Sequence, residues 1–252
     1  MLASALALRK YSSSSVTLTS NIFEHRTYAL TPSDVTHFTN KVTAAGDLRK
    51  SLLPLRLFTM PETGGDLNVA SHLYFYPGGM TERDAVRKVS GGNKEWKEFV
   101  EDSRRHVSSQ RSSIYTEAPG FVLDAAGTAG GADEGGTGDG EDSGIFEVRR
   151  YQLVLGYSTV PAFMDHYARG VEAKVKAGQD EGTRLSTVMY NEIGSLNEVI
   201  EIWRHSGVGG MERSRKMARE AGAWKEAVGE IAKIAVKFDN AIHRPLPFSP
   251  WR

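Results

Sequence analysis

The sequence predicts an α+β fold made of two tandem β-α-β-β-α-β modules, the split ferredoxin-like order, packed sheet to sheet. Three observations predict it. Short motifs recur once, in the same order, at offsets between 123 and 131 residues. Each copy reads as the same succession of strands and helices. A Gly-rich acidic stretch lies between the copies.

The repeat is legible residue by residue. Ile22-Phe23-Glu24-His25-Arg26-Thr27-Tyr28 matches Ile145-Phe146-Glu147-Val148-Arg149-Arg150-Tyr151. Gly65-Asp66-Leu67-Asn68 matches Gly194-Ser195-Leu196-Asn197, Gly79-Met80 matches Gly210-Met211, and Glu95-Trp96-Lys97-Glu98 matches Ala223-Trp224-Lys225-Glu226. The modules are placed at 21–124 and 145–252.

Each module opens on a strand, at 22–30 and 145–155. A helix follows. In the first copy Thr31 can cap it, Pro32 suits its first turn, and Val35, Phe38 and Val42 form one stripe. In the second copy the stripe is Val160, Phe163, Tyr167, Val171 and Val175, and Gly178 can end it. Two strands come next, at 52–60 with 67–76 and at 184–192 with 196–205, turned at Gly64-Gly65 and Gly194. A long helix is predicted from Thr81 to Val107 and from Met211 to Val236, broken in the first copy by Gly91-Gly92. The second carries an apolar stripe at Met217, Ala221, Trp224, Val228, Ile231 and Ala235. Last strands fall at 114–123 and 238–246.

Strand alternation separates two faces. Leu67, Val69, Leu73 and Phe75 share one face, and Asn68, His72, Tyr74 and Tyr76 the other. In the second copy Leu196, Ile200 and Ile202 oppose Asn197, Val199, Glu201, Trp203 and His205. The apolar set is expected to face the helices. The aromatic and charged set, which includes Glu24, Arg26 and Tyr28 with Glu147, Arg149 and Tyr151, is then expected in the seam between the sheets. Left bare, such a face would expose more than a monomer tolerates in one patch, so the sheets should close on each other, within one chain or between two in a homodimer.

Outside the modules, residues 1–20 are basic, Ser-rich and free of acid, with Arg9-Lys10 after a short apolar stretch, the composition of an organelle transit peptide. Cleavage after Tyr11 is expected. Residues 125–144 hold eight Gly, five acids and no base, which reads as a disordered tether; the acids argue against a phosphate loop.

Composition excludes several functions. The chain has 252 residues, no Cys, and 31 basic against 31 acidic side chains. There is no disulfide, thiolate metal site or Cys nucleophile. The neutral balance argues against a nucleic-acid surface, and no apolar run is long enough for a membrane span. The seven His are scattered without ligand spacing, and no nucleophile elbow, Walker loop or zinc-protease signature is present. No catalytic residue, metal or cofactor is assigned.

The Phe-Glu-x-Arg-x-Tyr strand in both copies, the Leu-Asn-x-x-x-x-x-Trp-Arg-His segment at 196–205 and the ending Pro245-Leu246-Pro247-Phe248-Ser249-Pro250 together resemble the NIPSNAP family. The resemblance implies modules of the dimeric α/β-barrel type. It also implies a mitochondrial location and a role in protein interactions, in vesicle traffic or mitochondrial quality control, with no settled catalytic activity. Glu201 stands where the family segment usually has His, whereas the first copy keeps His72. The expected function is therefore a non-enzymatic mitochondrial protein whose partners are other proteins. The alternative is a small-molecule binder, or a cofactor-free or haem oxidoreductase, using the barrel cavity. Its candidate lining is Glu24, Arg26, Tyr28, Asn68, His72, Tyr74, Glu147, Arg149, Tyr151, Asn197, Glu201 and Trp203. Against a site stands the simpler role of Glu24–Arg26 and Glu147–Arg149 as buried ion pairs that fix the sheets.

Overall fold

A computed structural model describes residues 21–118, 144–178 and 181–252. The expected targeting segment at 1–20 and the expected tether at 125–143 lie outside the described residues.

The first half runs β1 (Ile22–Leu30), a 3-10 turn (Pro32–Asp34), α1 (Val35–Ala44), α2 (Gly46–Leu52), β2 (Leu55–Thr63), β3 (Val69–Tyr76), α3 (Gly79–Gly92), α4 (Lys94–Arg104) and β4 (Val107–Glu117). The second runs β5 (Ile145–Leu153), α5 (Thr159–Gly178), β6 (Arg184–Ile193), β7 (Glu198–His205), α6 (Val208–Glu220), α7 (Gly222–Ile234) and β8 (Ala235–Pro245). Two expected long helices are each a pair. In the first half the break falls at Asn93, one residue beyond the glycine pair. The Asn93 side chain accepts from the Trp96 amide at 2.8 Å and so starts α4. In the second half extended backbone at Ala221 divides α6 from α7, although Ala221 continues the apolar stripe.

All strand pairs are antiparallel, and the eight strands form one closed barrel in the order β1-β3-β2-β8-β5-β7-β6-β4, with β4 returning to β1. Each half supplies four consecutive staves. The halves join along two edges, β2 with β8 and β4 with β6. The sheets thus meet edge to edge as well as face to face, and the closure lies within one chain. Among the described residues no strand edge is left unpaired, which removes the template for unwanted pairing.

The face assignment from the sequence is reversed. The luminal cluster is apolar: Phe23, Leu57, Leu73 and Phe75 of the first half meet Phe146, Met189, Ile200 and Ile202 of the second, with Tyr115 and Trp251. The aromatic and charged face lies outside the barrel, under the helices. There Phe38, Val42 and Trp96 pack on Tyr74 and Tyr76, and Phe163, Tyr167 and Trp224 pack on Tyr151 and Trp203. The physical reason is supply of counter-charge. The lumen is closed by other strands and by the tail residue Trp251, whereas a helix laid over a sheet can bring Arg or Lys to a buried carboxylate.

The C-terminal tail returns to the first half. The Leu246 amide donates to Phe58 O and the Trp251 amide to Arg56 O, both at 2.9 Å. Phe248 enters the first half's core, and Trp251 enters the luminal cluster.

Candidate functional site

The candidate residues form two buried clusters, one per half, between sheet and helices. In the first half Glu24 is fully buried on β1. Arg87 Nη2 donates to it at 2.7 Å and Arg83 Nη2 at 3.0 Å, both from α3, and Ser112 Oγ of β4 donates at 2.9 Å. Arg26, two residues along the strand, is farther at 3.4 Å. Burial opposes the charge on Glu24, but Arg87 and Arg83 outweigh it and hold the carboxyl at about 2. Glu147 on β5 repeats the arrangement. It accepts from Arg215 at 2.8 Å, His205 Nε2 at 3.0 Å and Asn240 at 3.1 Å. Against its burial, these donors and Arg149 keep it well below the usual carboxylate range. The main partners of both carboxylates are thus cross-element cations and donors rather than the same-strand arginine.

The halves diverge at one pair of positions. On β7 Glu201 lies completely buried, where β3 has His72. The Glu201 carboxylate accepts from Tyr151 OH at 2.7 Å, Tyr167 OH at 2.5 Å and Trp203 Nε1 at 2.6 Å. Arg149 Nε stands 3.1 Å away and Lys174 Nζ 3.8 Å. Lys174 sits over the rings of Trp203 and Trp224 at 3.6 and 4.7 Å. Burial pushes its ammonium down to about 7, with Glu201 pulling the other way.

His72 has different company. Its ring stacks on Phe58 and meets Tyr28 edge-on at 4.7 Å, and its Nδ1 is 3.0 Å from Tyr74 OH. Burial, with Arg49 and Arg26 nearby, keeps the imidazole neutral. Arg49 of α2 takes the place that Lys174 holds in α5, 125 residues on. It is 3% exposed, lies 5.0 Å from the Trp96 ring centre, and donates to Tyr74 OH at 2.5 Å. Among the described residues no carboxylate lies within ion-pair distance of Arg49.

Beside Arg49 opens a cavity of about 130 Å³. Arg26, Tyr28, Arg49, Tyr74 and Arg87 form its polar wall, Trp96, Phe99, Val100 and Val107 its apolar wall, and Arg104 and Gln110 stand at its mouth. No lining residue is acidic. In the second half Tyr167, Lys174, Glu201 and Trp224 are packed on one another and all buried.

Ten of the twelve candidate residues therefore come together, in two groups rather than in one seam. Asn68 and Asn197 do not join them. Their carbonyls accept from the Leu30 and Leu153 amides at 2.8 and 2.9 Å, the same strand-end bond in each half. The Asn197 side chain, at φ 60°, also donates to Val154 O and Gly156 O. The barrel lumen, the expected seat of a ligand, is packed with apolar side chains and buried polar ones, some of them paired. Thr59 pairs with His243 at 2.9 Å and His25 with Ser71 at 2.8 Å. Among the described residues no three His, Asp or Glu side chains converge as a metal site requires.

Sequence reasoning missed the cations on the helices. A signal existed: Lys174 continues the Phe163, Tyr167, Val171 stripe at helical spacing, and Arg83 and Arg87 are one turn apart.

A closed eight-stranded antiparallel barrel, built from two like halves and jacketed by helices over buried ionic clusters, defines the class of two-module α/β-barrel proteins. The sequence model of the NIPSNAP family matches residues 23–120 and 146–250. The chain belongs to the NIPSNAP family. It is 26% identical to the human protein NipSnap homolog 3A over 91% of this chain and 85% of that one. It is 24% identical to NipSnap homolog 2 of Danio rerio over 75% of this chain and 59% of the relative. Among solved structures, a monooxygenase-like protein of Fusobacterium nucleatum matches with a TM-score of 0.62 over 90% of this chain and 92% of that chain, at 10% identity. At that identity the likeness concerns the fold alone.

Proposed function

We propose that this chain is a mitochondrial NIPSNAP protein that works by binding other proteins rather than by catalysis. In this reading two copies of a ferredoxin-like module carry the barrel, residues 1–20 direct the chain to the organelle, and residues 125–144 tether the copies. Vesicle traffic and mitochondrial quality control are the settings the family suggests. Among the described residues no helix is long and apolar enough to cross a membrane.

The observation that carries the reading is an apolar rim at one end of the second half. Val154, Leu155 and Tyr157 after β5, Leu196 in the β6–β7 turn and Val236 at the start of β8 are all exposed, Leu155 at 82% and Tyr157 fully. Asn197 pins the first of these segments to the second, and the Val154 amide donates to Ile234 O at 2.9 Å. The rim is therefore preformed. The matching rim of the first half keeps one exposed apolar side chain, Leu67, and otherwise carries the exposed Thr31, Ser33, Arg105 and Ser108. A grouped, fixed apolar surface on only one copy is what a docking partner needs and what stability alone does not require.

The test is a photo-crosslinker at position 157 in isolated mitochondria. The expected result is a small set of discrete protein adducts, lost when Leu155 is changed to Glu. Absence of adducts, or adducts unchanged by Leu155→Glu, overturns the reading.

A further inference from the structure

We propose that the cavity of the first half is a binding site for a small monocarboxylate with an apolar body about one ring in size. Its carboxylate would meet Arg49, Arg26, Tyr28 and Tyr74, the counterparts of groups that hold the side-chain carboxylate of Glu201 in the second half. The inference comes from setting the two copies on each other and is independent of the docking rim.

In the second half the buried anion is internal. Glu201 is held by Tyr151, Arg149, Trp203, Lys174 and Tyr167. Four of these five have counterparts that line the first-half cavity. Tyr28 and Arg26 stand 123 residues before Tyr151 and Arg149, Tyr74 stands 129 before Trp203, and Arg49 stands 125 before Lys174. Only the anion is missing, because position 72 is His and its ring is turned into Phe58, Tyr28 and Tyr74. The fifth partner, Tyr167, has the apolar Val42 at the position 125 residues before it.

The charge balance agrees. Arg26, Arg83 and Arg87 share the single carboxylate of Glu24. Arg49 has only the Tyr74 hydroxyl and aromatic faces, and the Nε atoms of Arg49 and Arg26 are buried without a hydrogen-bond partner. A buried guanidinium without a counter-charge is costly, and a bound carboxylate would supply both charge and acceptors. The apolar wall of Trp96, Phe99, Val100 and Val107 sets the other half of the ligand. A cavity of about 130 Å³ compares with an engineered cavity of about 150 Å³ that takes benzene.

Titration calorimetry of the full chain with benzoate, benzamide and inorganic phosphate tests this. Benzoate is expected to bind one per chain and to raise the melting temperature. Benzamide, which lacks the charge, and phosphate, which lacks the body, are expected to bind at least about tenfold more weakly. Arg49→Met is expected to weaken benzoate by about tenfold to a hundredfold. The sharper variant is His72→Glu, which gives the first half an internal carboxylate like that of Glu201. It is expected to keep the folded state and abolish benzoate binding. The proposal is overturned if benzoate fails to bind at millimolar concentration, or if benzamide or phosphate binds as tightly. Equal benzoate affinity in folded His72→Glu also overturns it.

Discussion

At the scale of single residues, the two copies solve the same problem with different side chains. A basic residue sits on the buried stripe of the first helical region and lies over the same tryptophan, as Arg49 on Trp96 and as Lys174 on Trp224. Arginine keeps its charge in such a place, and lysine need not. The pH consequence follows for Lys174. Its pKa is about 7 in the folded chain against 10.5 for an ordinary lysine. Between these values the unfolded chain binds the proton and the folded chain does not, so stability rises as pH rises. From pH 7 to pH 9 the urea-unfolding free energy should increase by about 1–2 kcal/mol, and in Lys174→Met this rise should be absent. An identical slope in the variant would mean that Lys174 stays charged.

At the scale of elements, most strands are legible and the helices only partly so; the last strand of the first half, expected at 114–123, runs from Val107 to Glu117. Ile22–Leu30 was read with both ends correct, because a strand between turn residues has a sharp pattern. The break at Ala221 is masked because the apolar spacing runs through it, although Gly222 stands directly after it. Position 46 shows how tightly one element seats another. A Cβ built on Gly46 would come within 2.5 Å of Phe248 Cβ. Gly46→Ala is expected to destabilise the chain by about 1–3 kcal/mol through overpacking, even though alanine is the better helix former. The added double change Gly46→Ala with Phe248→Ala should show less than the sum of the two single losses, and strict additivity in thermal unfolding would contradict the contact.

At the scale of the molecule, duplication and closure could be read from the chain, whereas inside and outside could not. The repeat of Glu24, Arg26 and Tyr28 as Glu147, Arg149 and Tyr151 marked a shared place, and these residues do cluster. Alternation names two faces without saying which one meets helices. The answer depended on Arg83, Arg87, Arg215 and Lys174, which are distant in sequence from the strands they neutralise. Closure itself makes a prediction. Residues 145–252 alone would expose the luminal Phe146, Met189, Ile200 and Ile202 and two bare strand edges. The isolated half should therefore associate into a pair at micromolar concentration, copying each missing edge with its own equivalent. Sedimentation as a folded single copy would contradict this.

The tail that carries Phe248 and Trp251 back to the first half has a consequence for how the chain is made. The first half emerges early yet lacks two of its own anchoring rings until residues 248–251 have been made and have left the ribosome. A product cut short before them should stay soft and threadable, and should lock only once they are in place.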